Sequence, residues 1–370
     1  MLDAWSNRLL MIALVGITLS GCNEPVAPTQ TESATAGKPL KVLFAGALNN
    51  VPMMVAAENG YWREQGLDVT VQVLDSGSQI ATALVSGAAD IGAGTATSSI
   101  PLSRAAGNQL TFVGPYHNNP MVVNGVARVA VIGSTKSGVK AGDAKSLVGK
   151  TIGASLGSTS ESYLKSYLAS RGVGMGDVKL VNLSVPDMSV ALTQGNADAV
   201  VPWEPYVSQI IREQGDKAAV VSRGGPYGSS VVGVMVTDKY FAQNRDLVER
   251  YVAGAWKGVQ FTRQNPAAAA TIAQRYIQGL NHADATSGLQ AMQAEFDPRI
   301  SPCTKAAVMQ EQDSLIAANA MKIATPFPYE TIVQADFIQS LLTKHPELLN
   351  DLKPLPETAA QCGGLSNAIQ

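Results

Sequence analysis

A short run of glycine and hydroxyl residues, Gly157 to Glu161, has the composition of a site for a small anion. Glycine lets the backbone approach a bound group closely, and hydroxyls at the start of a helix lie where its partial positive charge favours an anion. The alternative is a capping box, in which Ser158 caps the helix and Glu161 bonds back to it without any ligand. Both interpretations can hold at once.

A second candidate is the segment Pro202-Trp203-Glu204-Pro205-Tyr206, which sets an aromatic ring beside a carboxylate. Its two prolines stiffen a turn at the end of an apolar run. The aromatic ring of Trp203 and the carboxylate of Glu204 together suit an organic solute with a cationic or hydrogen-donating group. The alternative is that Trp203 fills the core between two domains and Glu204 bonds to a helix terminus.

Residues arranged for catalysis or metal binding are missing from the sequence. His117, His282 and His345 are scattered, without the spacing of zinc ligands. Residues 91–97 begin like a dinucleotide-binding loop, but Thr97 replaces the third glycine, which favours a loop of a solute pocket. His117 either touches a solute or is a structural histidine. We therefore expect a binding protein that is not an enzyme and has no metal and no cofactor.

Strand and helix patterns alternate along the chain that carries these residues. Residues 42–44 have the pattern of a buried strand, residues 53–65 that of a helix and residues 69–74 that of a half-buried strand. Residues 75–78 then supply a turn and a helix cap. The alternation predicts an α/β fold with mostly parallel sheets covered by helices.

One segment of the sequence recurs. Residues 83–90 read ALVSGAAD and residues 191–198 read ALTQGNAD. Both predict a helix end, a glycine with positive φ and the start of a buried strand. The repeat indicates that each half of the chain contains the same supersecondary unit. The alternative is a chance similarity between two ordinary helix-to-strand connections.

The length of 370 residues favours two domains, because one hydrophobic core rarely grows so large. In open α/β sheets, ligands bind beyond the carboxyl ends of the strands. The loops at those ends are residues 49–52, 76–77, 95–98, 116–118, 157–160 and 203–204. Because these loops contain no Lys or Arg, we expect an organic solute with an anionic or polar end rather than an inorganic anion.

The N-terminus has the features of an export signal. Arg8 precedes an apolar run, residues 9–19, that is too short to span a bilayer. The tetrapeptide Leu-Ser-Gly-Cys follows and looks like a lipobox, which would make Cys22 the lipidated first residue of the mature chain; the alternative is an ordinary cleavage site. We expect a signal peptide at residues 1–21 and a flexible tether at residues 22–38.

Export implies an oxidising compartment, so Cys303 and Cys362 are expected to form a disulfide, with two free buried thiols as the alternative. The 27 Lys and Arg nearly balance the 29 Asp and Glu, and no basic run stands out. Nucleic acid is therefore not an expected partner.

Several short motifs occur in a characteristic order, namely AENGYWREQGLDV at 57–69, ALVSGAAD at 83–90, LVGK at 147–150, GS at 157–158, DV at 177–178 and WEPY at 203–206. Together they resemble the nitrate, sulfonate and taurine group of ABC-importer binding proteins, which includes relatives that bind thiamine precursors. The resemblance covers about residues 40–260. Residues 116–131 and the region from 282 onward depart from it.

The resemblance implies the type II periplasmic-binding-protein fold, in which two α/β lobes with a hinge enclose the ligand in a cleft. We expect lobe 1 at residues 39–128 plus 232–370 and lobe 2 at 129–231, with hinge crossings near 126–131 and 229–235.

Carried over by position, the resemblance implies that the ligand is faced by Asn49, Ser76, Thr95, Thr97, Tyr116, Ser158, Thr159, Trp203 and Glu204. Gly77 and His117 are added as candidates from the strand-end loops. The implied function is capture of a small organic solute, which is a sulfonate, an amine-containing compound or a heterocycle, by hinge closure and its delivery to a membrane permease driven by a cytoplasmic ATPase. The protein is expected to be a monomer in the periplasm or at the cell surface, held by the lipid on Cys22.

Two alternatives remain. One is an enzyme like the thiamine-pyrimidine precursor synthases, which share this fold and use a histidine-centred site with a cysteine-rich motif. The lipobox and the lack of a cysteine cluster argue against it. The other is a sensor that signals its closed state to a membrane receptor.

Overall fold

The computed structural model describes residues 39–121, 128–225, 227, 231–317 and 319–363. Cys22, the expected signal peptide and the expected tether lie outside these residues. In this part of the chain, no helix combines the length and the apolar character needed to cross a bilayer.

The described residues contain ten strands in two five-stranded sheets. The strands are β1 Leu40–Ala45, β2 Val69–Leu74, β3 Ile91–Ala96, β4 Leu110–His117, β5 Ala130–Ser134, β6 Thr151–Ala154, β7 Lys179–Asn182, β8 Ala199–Val200, β9 Ala218–Arg223 and β10 Val232–Thr237. The first sheet has the order β2-β1-β3-β10-β4, and the second has the order β7-β6-β8-β5-β9.

The two sheets follow one plan. The first three strands of each order are parallel, and the fourth, β10 or β5, runs antiparallel to both of its neighbours. Both antiparallel strands directly follow a passage of the chain from one sheet to the other. The chain therefore crosses between the sheets twice and leaves one antiparallel strand in each.

Helices cover the sheets. Within the described ranges they are α1 Val51–Glu58, α2 Tyr61–Glu64, α3 Gly77–Val85, α4 Ser99–Ala105, α5 Thr159–Ser170, α6 Met188–Gln194, α7 Tyr206–Gln214, α8 Asp238–Gln243, α9 Arg245–Gln264, α10 Pro266–Ala273, α11 His282–Ala291, α12 Pro302–Ala317, α13 Tyr329–Ile332 and α14 Ala335–Lys344. The helix predicted at residues 53–65 is divided into α1 and α2, because Gly60 has a left-handed backbone with φ of 72°.

Each sheet has a hydrophobic core of its own, which gives two α/β lobes. The core of the first lobe includes Met53, Tyr251 and Trp256, and that of the second includes Tyr163 and Tyr167. Of the helices from α8 onward, α8, α9, α13 and α14 pack on the first sheet, and α10, α11 and α12 pack on other helices and turns of the same lobe. The exact residue limits of the lobes remain a prediction.

The repeated segment forms the same helix-to-strand connection in both lobes. Its glycine has a positive φ in each copy, 74° and 76°. At its end, the Lys41 N–H donates to the Asp90 carboxylate at 2.8 Å, and the Thr151 N–H donates to the Asp198 carboxylate at 2.9 Å. Each aspartate thus ties the start of a parallel strand to its neighbour.

Replacing either Asp90 or Asp198 by alanine is expected to lower the free energy of unfolding by about 1 kcal/mol, because each change leaves a strand N–H without its acceptor. Urea denaturation measures both variants. Asp313→Ala, in an exposed part of α12, is the control and is expected to change stability by less than about 0.5 kcal/mol. Equal stability of all three variants would contradict the stabilising role of the Asp90 and Asp198 hydrogen bonds.

The C-terminal segment is connected to α12 through its cysteines. The sulfur atoms of Cys303 and Cys362 are 2.01 Å apart, at the distance of a disulfide bond, and the two residues are separated by 59 positions. The Gly363 N–H also donates to the carbonyl of Met121 at 2.9 Å. These contacts hold residues 362–363 against the first lobe.

Candidate functional site

A cavity lies between the lobes, at the carboxyl ends of several strands. The space between its lining atoms is about 410 Å³ when the open solvent at its mouth is included, and the centre of a water molecule can occupy only about 30 Å³ of it. Its lining residues are Ala45, Ala47, Asn49, Asn50, Gly77, Gly94, Ser99, Arg128, Val129, Ser158, Thr159, Trp203 and Val232.

Two helix N-termini, one from each lobe, meet at this cavity. Gly77 is the first residue of α3, Thr159 is the first residue of α5, and both line the cavity. Ser76 and Ser158 cap these helices by accepting backbone N–H groups at 3.4 and 3.2 Å. Because the first turn of a helix exposes N–H groups and partial positive charge, both ends favour an anion in the cavity.

The segment that starts with Gly157 caps a helix, as one of its two interpretations predicts, and it also lines the cavity. Ser158 caps α5 and also lines the cavity. Glu161 reaches back to accept the Gly157 N–H at 2.7 Å, and its other carboxylate oxygen lies 2.5 Å from Lys165 Nζ. Glu161 is therefore engaged in the helix, while Ser158 and Thr159 in front of it line the cavity.

Trp203 and Glu204 have separate roles. Trp203 lines the cavity and is 7% exposed, and its Nε1–H has no hydrogen-bond acceptor among the described residues. Glu204 is not part of the lining, because its carboxylate accepts the backbone N–H and the hydroxyl of Ser208 at 3.2 and 3.0 Å and lies 2.5 Å from Arg223. This is the helix-terminus role that the sequence left as the alternative for Glu204.

Arg128 is a cavity residue that the sequence analysis missed. It is 4% exposed and lines the cavity. Burial lowers the pKa of its guanidinium, and the nearby carboxylates of Glu295 and Glu311 act in the opposite direction. Arg128 lies in the predicted hinge crossing rather than in a strand-end loop. The strand-end loops contain no Lys or Arg, and the cavity obtains its guanidinium from this crossing segment instead.

An asparagine pair forms one wall of the cavity. Asn49 Nδ2 donates to Asn50 Oδ1 at 3.0 Å, and the Tyr116 hydroxyl donates to the same oxygen at 2.8 Å. Tyr116 thus lies behind the lining and orients Asn50, and burial raises the pKa of its hydroxyl well above the usual value. A Cβ at Gly94, where φ is 85°, would lie 2.5 Å from Asn50 Nδ2, so this wall requires glycine there.

Three further predicted residues belong to the first lobe. Ser76 lines a polar groove beside the cavity as well as capping α3. Thr97 is 1% exposed outside the lining, and its hydroxyl has no partner in the described ranges. Thr95 belongs to β3, and its side chain lies outside what the structure describes.

His117 is fully buried behind the cavity. Its Nε2 is 3.0 Å from Glu295 Oε2, and its Nδ1 is 3.3 Å from an Arg128 nitrogen. These contacts are of the kind expected for the structural alternative. Across the described chain, no group of three or more His, Cys, Asp or Glu side chains is arranged to hold a metal ion.

Comparison with known proteins supports the same architecture. The alkanesulfonate-binding protein SsuA from Xanthomonas axonopodis pv. citri, solved with bound MOPS, matches with a TM-score of 0.66 and 19% identity over 81% of this chain and 99% of that one. The nitrate-binding protein NrtA from Synechocystis PCC 6803 matches with a TM-score of 0.65 and 12% identity, covering 88% and 91%. These likenesses confirm the predicted two-lobed periplasmic-binding-protein fold.

The same fold also occurs in an enzyme. The desulfurization enzyme DSZB matches with a TM-score of 0.58 and 17% identity over 84% of this chain and all of that one. The fold alone therefore does not separate binding from catalysis.

Sequence comparison gives the family. The taurine-binding periplasmic protein of Escherichia coli strain K12 is 29% identical over 217 residues, which span 58% of this chain and 64% of that relative. The sequence pattern of one family matches residues 47–269, more than half of the chain. The chain belongs to the NMT1/THI5-like family.

Proposed function

We propose that this chain is the solute-binding component of an ABC importer and that its two lobes close on a small organic anion. The convergence of one buried guanidinium, two helix N-termini and one indole on a single cavity carries this proposal. A sulfonate is the preferred anionic group, since taurine-binding and alkanesulfonate-binding proteins are similar to this chain.

The charges at the cavity support an anionic ligand. Arg128 loses most of its hydration on burial, so an anion that accepts its N–H groups would offset part of that loss. The N-termini of α3 and α5 act in the same direction. The ring of Trp203 adds an apolar surface with one N–H donor, which favours an organic anion over an inorganic one.

Contacts between the lobes support closure as the mechanism. The Leu48 N–H of the first lobe donates to the Glu204 carbonyl of the second at 3.4 Å, and Arg212 of α7 pairs with Asp284 of α11. A solute that touches both lobes strengthens this arrangement, because only the closed state makes both sets of contacts. To close the lobes almost completely, it must favour that state by several kcal/mol.

The remaining parts of the proposal concern location and partners. A lipid on Cys22 would hold the protein on the periplasmic or outer side of a membrane, with residues 22–38 as a tether. There, a monomer would hand its solute to a permease driven by a cytoplasmic ATPase.

An enzyme is the second candidate, since the desulfurization enzyme DSZB has a similar fold. The position of His117 argues against a histidine-centred reaction, because its ring nitrogens face Glu295 and Arg128 and it does not line the cavity. A turnover assay with iron and a pyridoxal cofactor tests the synthase-like reaction. Product formation would overturn the binding role.

A thermal-shift screen with taurine, MOPS, nitrate, amines and pyrimidine heterocycles tests the proposed solute class. A ligand present at 100 times its dissociation constant stabilises the folded chain by about 2.7 kcal/mol, which is readily detected. We expect stabilisation by at least one organic sulfonate. Stabilisation by heterocycles or amines alone would contradict the anion proposal.

Replacing Trp203 by phenylalanine is expected to weaken sulfonate binding by roughly two- to twelvefold, the effect of losing one hydrogen bond of about 0.5–1.5 kcal/mol. Titration calorimetry measures the change. The control is Trp62→Phe, because the Trp62 Nε1–H donates to the Tyr251 carbonyl at 3.0 Å away from the cavity. That variant should lose stability but keep its affinity, and equal affinity of both variants would remove Trp203 from the site.

A further inference from the structure

Arg128 is supported from behind by a buried pair of titratable side chains. One of its nitrogens lies 3.3 Å from His117 Nδ1, and His117 Nε2 lies 3.0 Å from Glu295 Oε2. His117 is fully buried, while Glu295 and Arg128 are 9% and 4% exposed. The three side chains form a row that runs from the interior of the first lobe to the cavity.

The chemistry of the row determines where its protons lie. A guanidinium only donates hydrogen bonds, so His117 Nδ1 must be the acceptor of the Arg128 contact. The single proton of a neutral imidazole is then on Nε2, where it faces the Glu295 carboxylate. In this tautomer the Glu295 carboxylate, 3.0 Å from Nε2, attracts the proton on that nitrogen and so favours one orientation of His117 and, through it, of Arg128.

Glu295 belongs to a part of the chain outside the family match, which ends at residue 269. That part is firmly attached to the end of β4. The Asn118 N–H donates to the Glu295 carbonyl at 2.6 Å, and the ring of Phe296 packs edge-on against His117 with 5.4 Å between ring centroids. Arg263 of α9 holds the Phe296 carbonyl at 2.6 Å.

We propose that Glu295, which lies beyond the family-matched region, acts through neutral His117 as a positioning residue for Arg128 in the solute site. This inference rests on the proposed function. The side chains of Tyr116 and Glu311 also interact electrostatically with Arg128, but neither forms the row. With its guanidinium fixed, Arg128 meets the anionic end of the solute without first having to be ordered.

The protonation state of His117 tests the proposed arrangement of Glu295, His117 and Arg128, and the measurement needs no ligand. Nitrogen-15 NMR spectra of the full chain distinguish the two neutral tautomers and the imidazolium, and His117→Gln identifies the signal among three histidines. We expect neutral His117 with its proton on Nε2. A proton on Nδ1, or on both nitrogens at neutral pH, would overturn the inference.

Variants of Glu295 test its effect on binding, with taurine and MOPS as the titrants. Glu295→Gln keeps an oxygen acceptor for His117 and is expected to stay within about threefold of the wild-type affinity, whereas Glu295→Ala should lose roughly tenfold or more. Glu330→Gln, on the exposed surface of α13, is the control. Unchanged affinity in Glu295→Ala would overturn the positioning role.

The two experiments separate failure of this inference from failure of the proposed function. If the wild-type chain binds neither taurine nor MOPS, the proposed solute class is wrong, and the His117 spectrum still decides whether the row exists. If it binds them and Glu295→Ala binds them equally well, the function stands and the positioning role is rejected.

Discussion

Replacing Arg128 by methionine is expected to weaken binding of an organic sulfonate by roughly 2–5 kcal/mol, which is about thirtyfold or more. The variant removes the single guanidinium in the lining while keeping an unbranched side chain of similar length. The solute would then bury its negative charge against helix N-termini alone. Titration calorimetry with taurine and MOPS measures the loss.

Two further variants make this result specific. Arg128→Lys keeps the charge but loses the planar set of donors, so its affinity should fall between those of the wild type and the methionine variant. Arg104→Met is the matched control, since Arg104 is also largely buried but pairs with Asp238 away from the cavity. Equal losses of affinity in Arg104→Met and Arg128→Met would show a general loss of structure instead of a lost ligand contact.

Breaking the Cys303–Cys362 bridge is expected to lower the free energy of unfolding by about 4 kcal/mol, because the bridge closes a loop with a sequence separation of 59 and restricts the unfolded chain. Urea denaturation of the oxidised wild type and of the same protein in a phosphine reductant gives the difference directly. The double variant Cys303→Ala, Cys362→Ala is the control.

The double variant should match the reduced wild type closely and show no response to reductant. If the wild type unfolds at the same urea concentration with and without reductant, the two cysteines are free thiols in the purified protein. That outcome would select the alternative which the sequence left open.

The sequence was informative about the fold because its signals are local. The alternating apolar residues at 69–74 predicted β2 with its observed bounds. The repeated segments 83–90 and 191–198 predicted the helix-to-strand connection, with its glycine of positive φ, that both lobes share. Breaks inside helices were harder to predict. Residues 53–65 look helical throughout, and only the left-handed backbone at Gly60 divides them.

The site was less predictable because its residues come from different parts of the chain. Strand-end loops supplied Asn49, Gly77, Ser158, Thr159 and Trp203, all of which line the cavity. The same reasoning could not predict Arg128 as a cavity residue, because it considered only loops that follow strands and Arg128 lies in a segment that crosses between the lobes.

Glu295 lies farther still along the chain, in a region without a family signal. Its relation to the cavity exists only through tertiary contacts with His117. Periodicity and capping signals say nothing about such contacts, so this part of the site had to come from the structure.

The claim that solute occupancy closes the two lobes can be tested most directly by small-angle X-ray scattering on the purified protein. With a sulfonate that raises the melting temperature, we predict a smaller radius of gyration and a curve that matches the structure with its lobes in contact. Arg128→Met at the same solute concentration should keep the larger radius. Identical curves for the wild type with and without a saturating, stabilising solute would contradict the account.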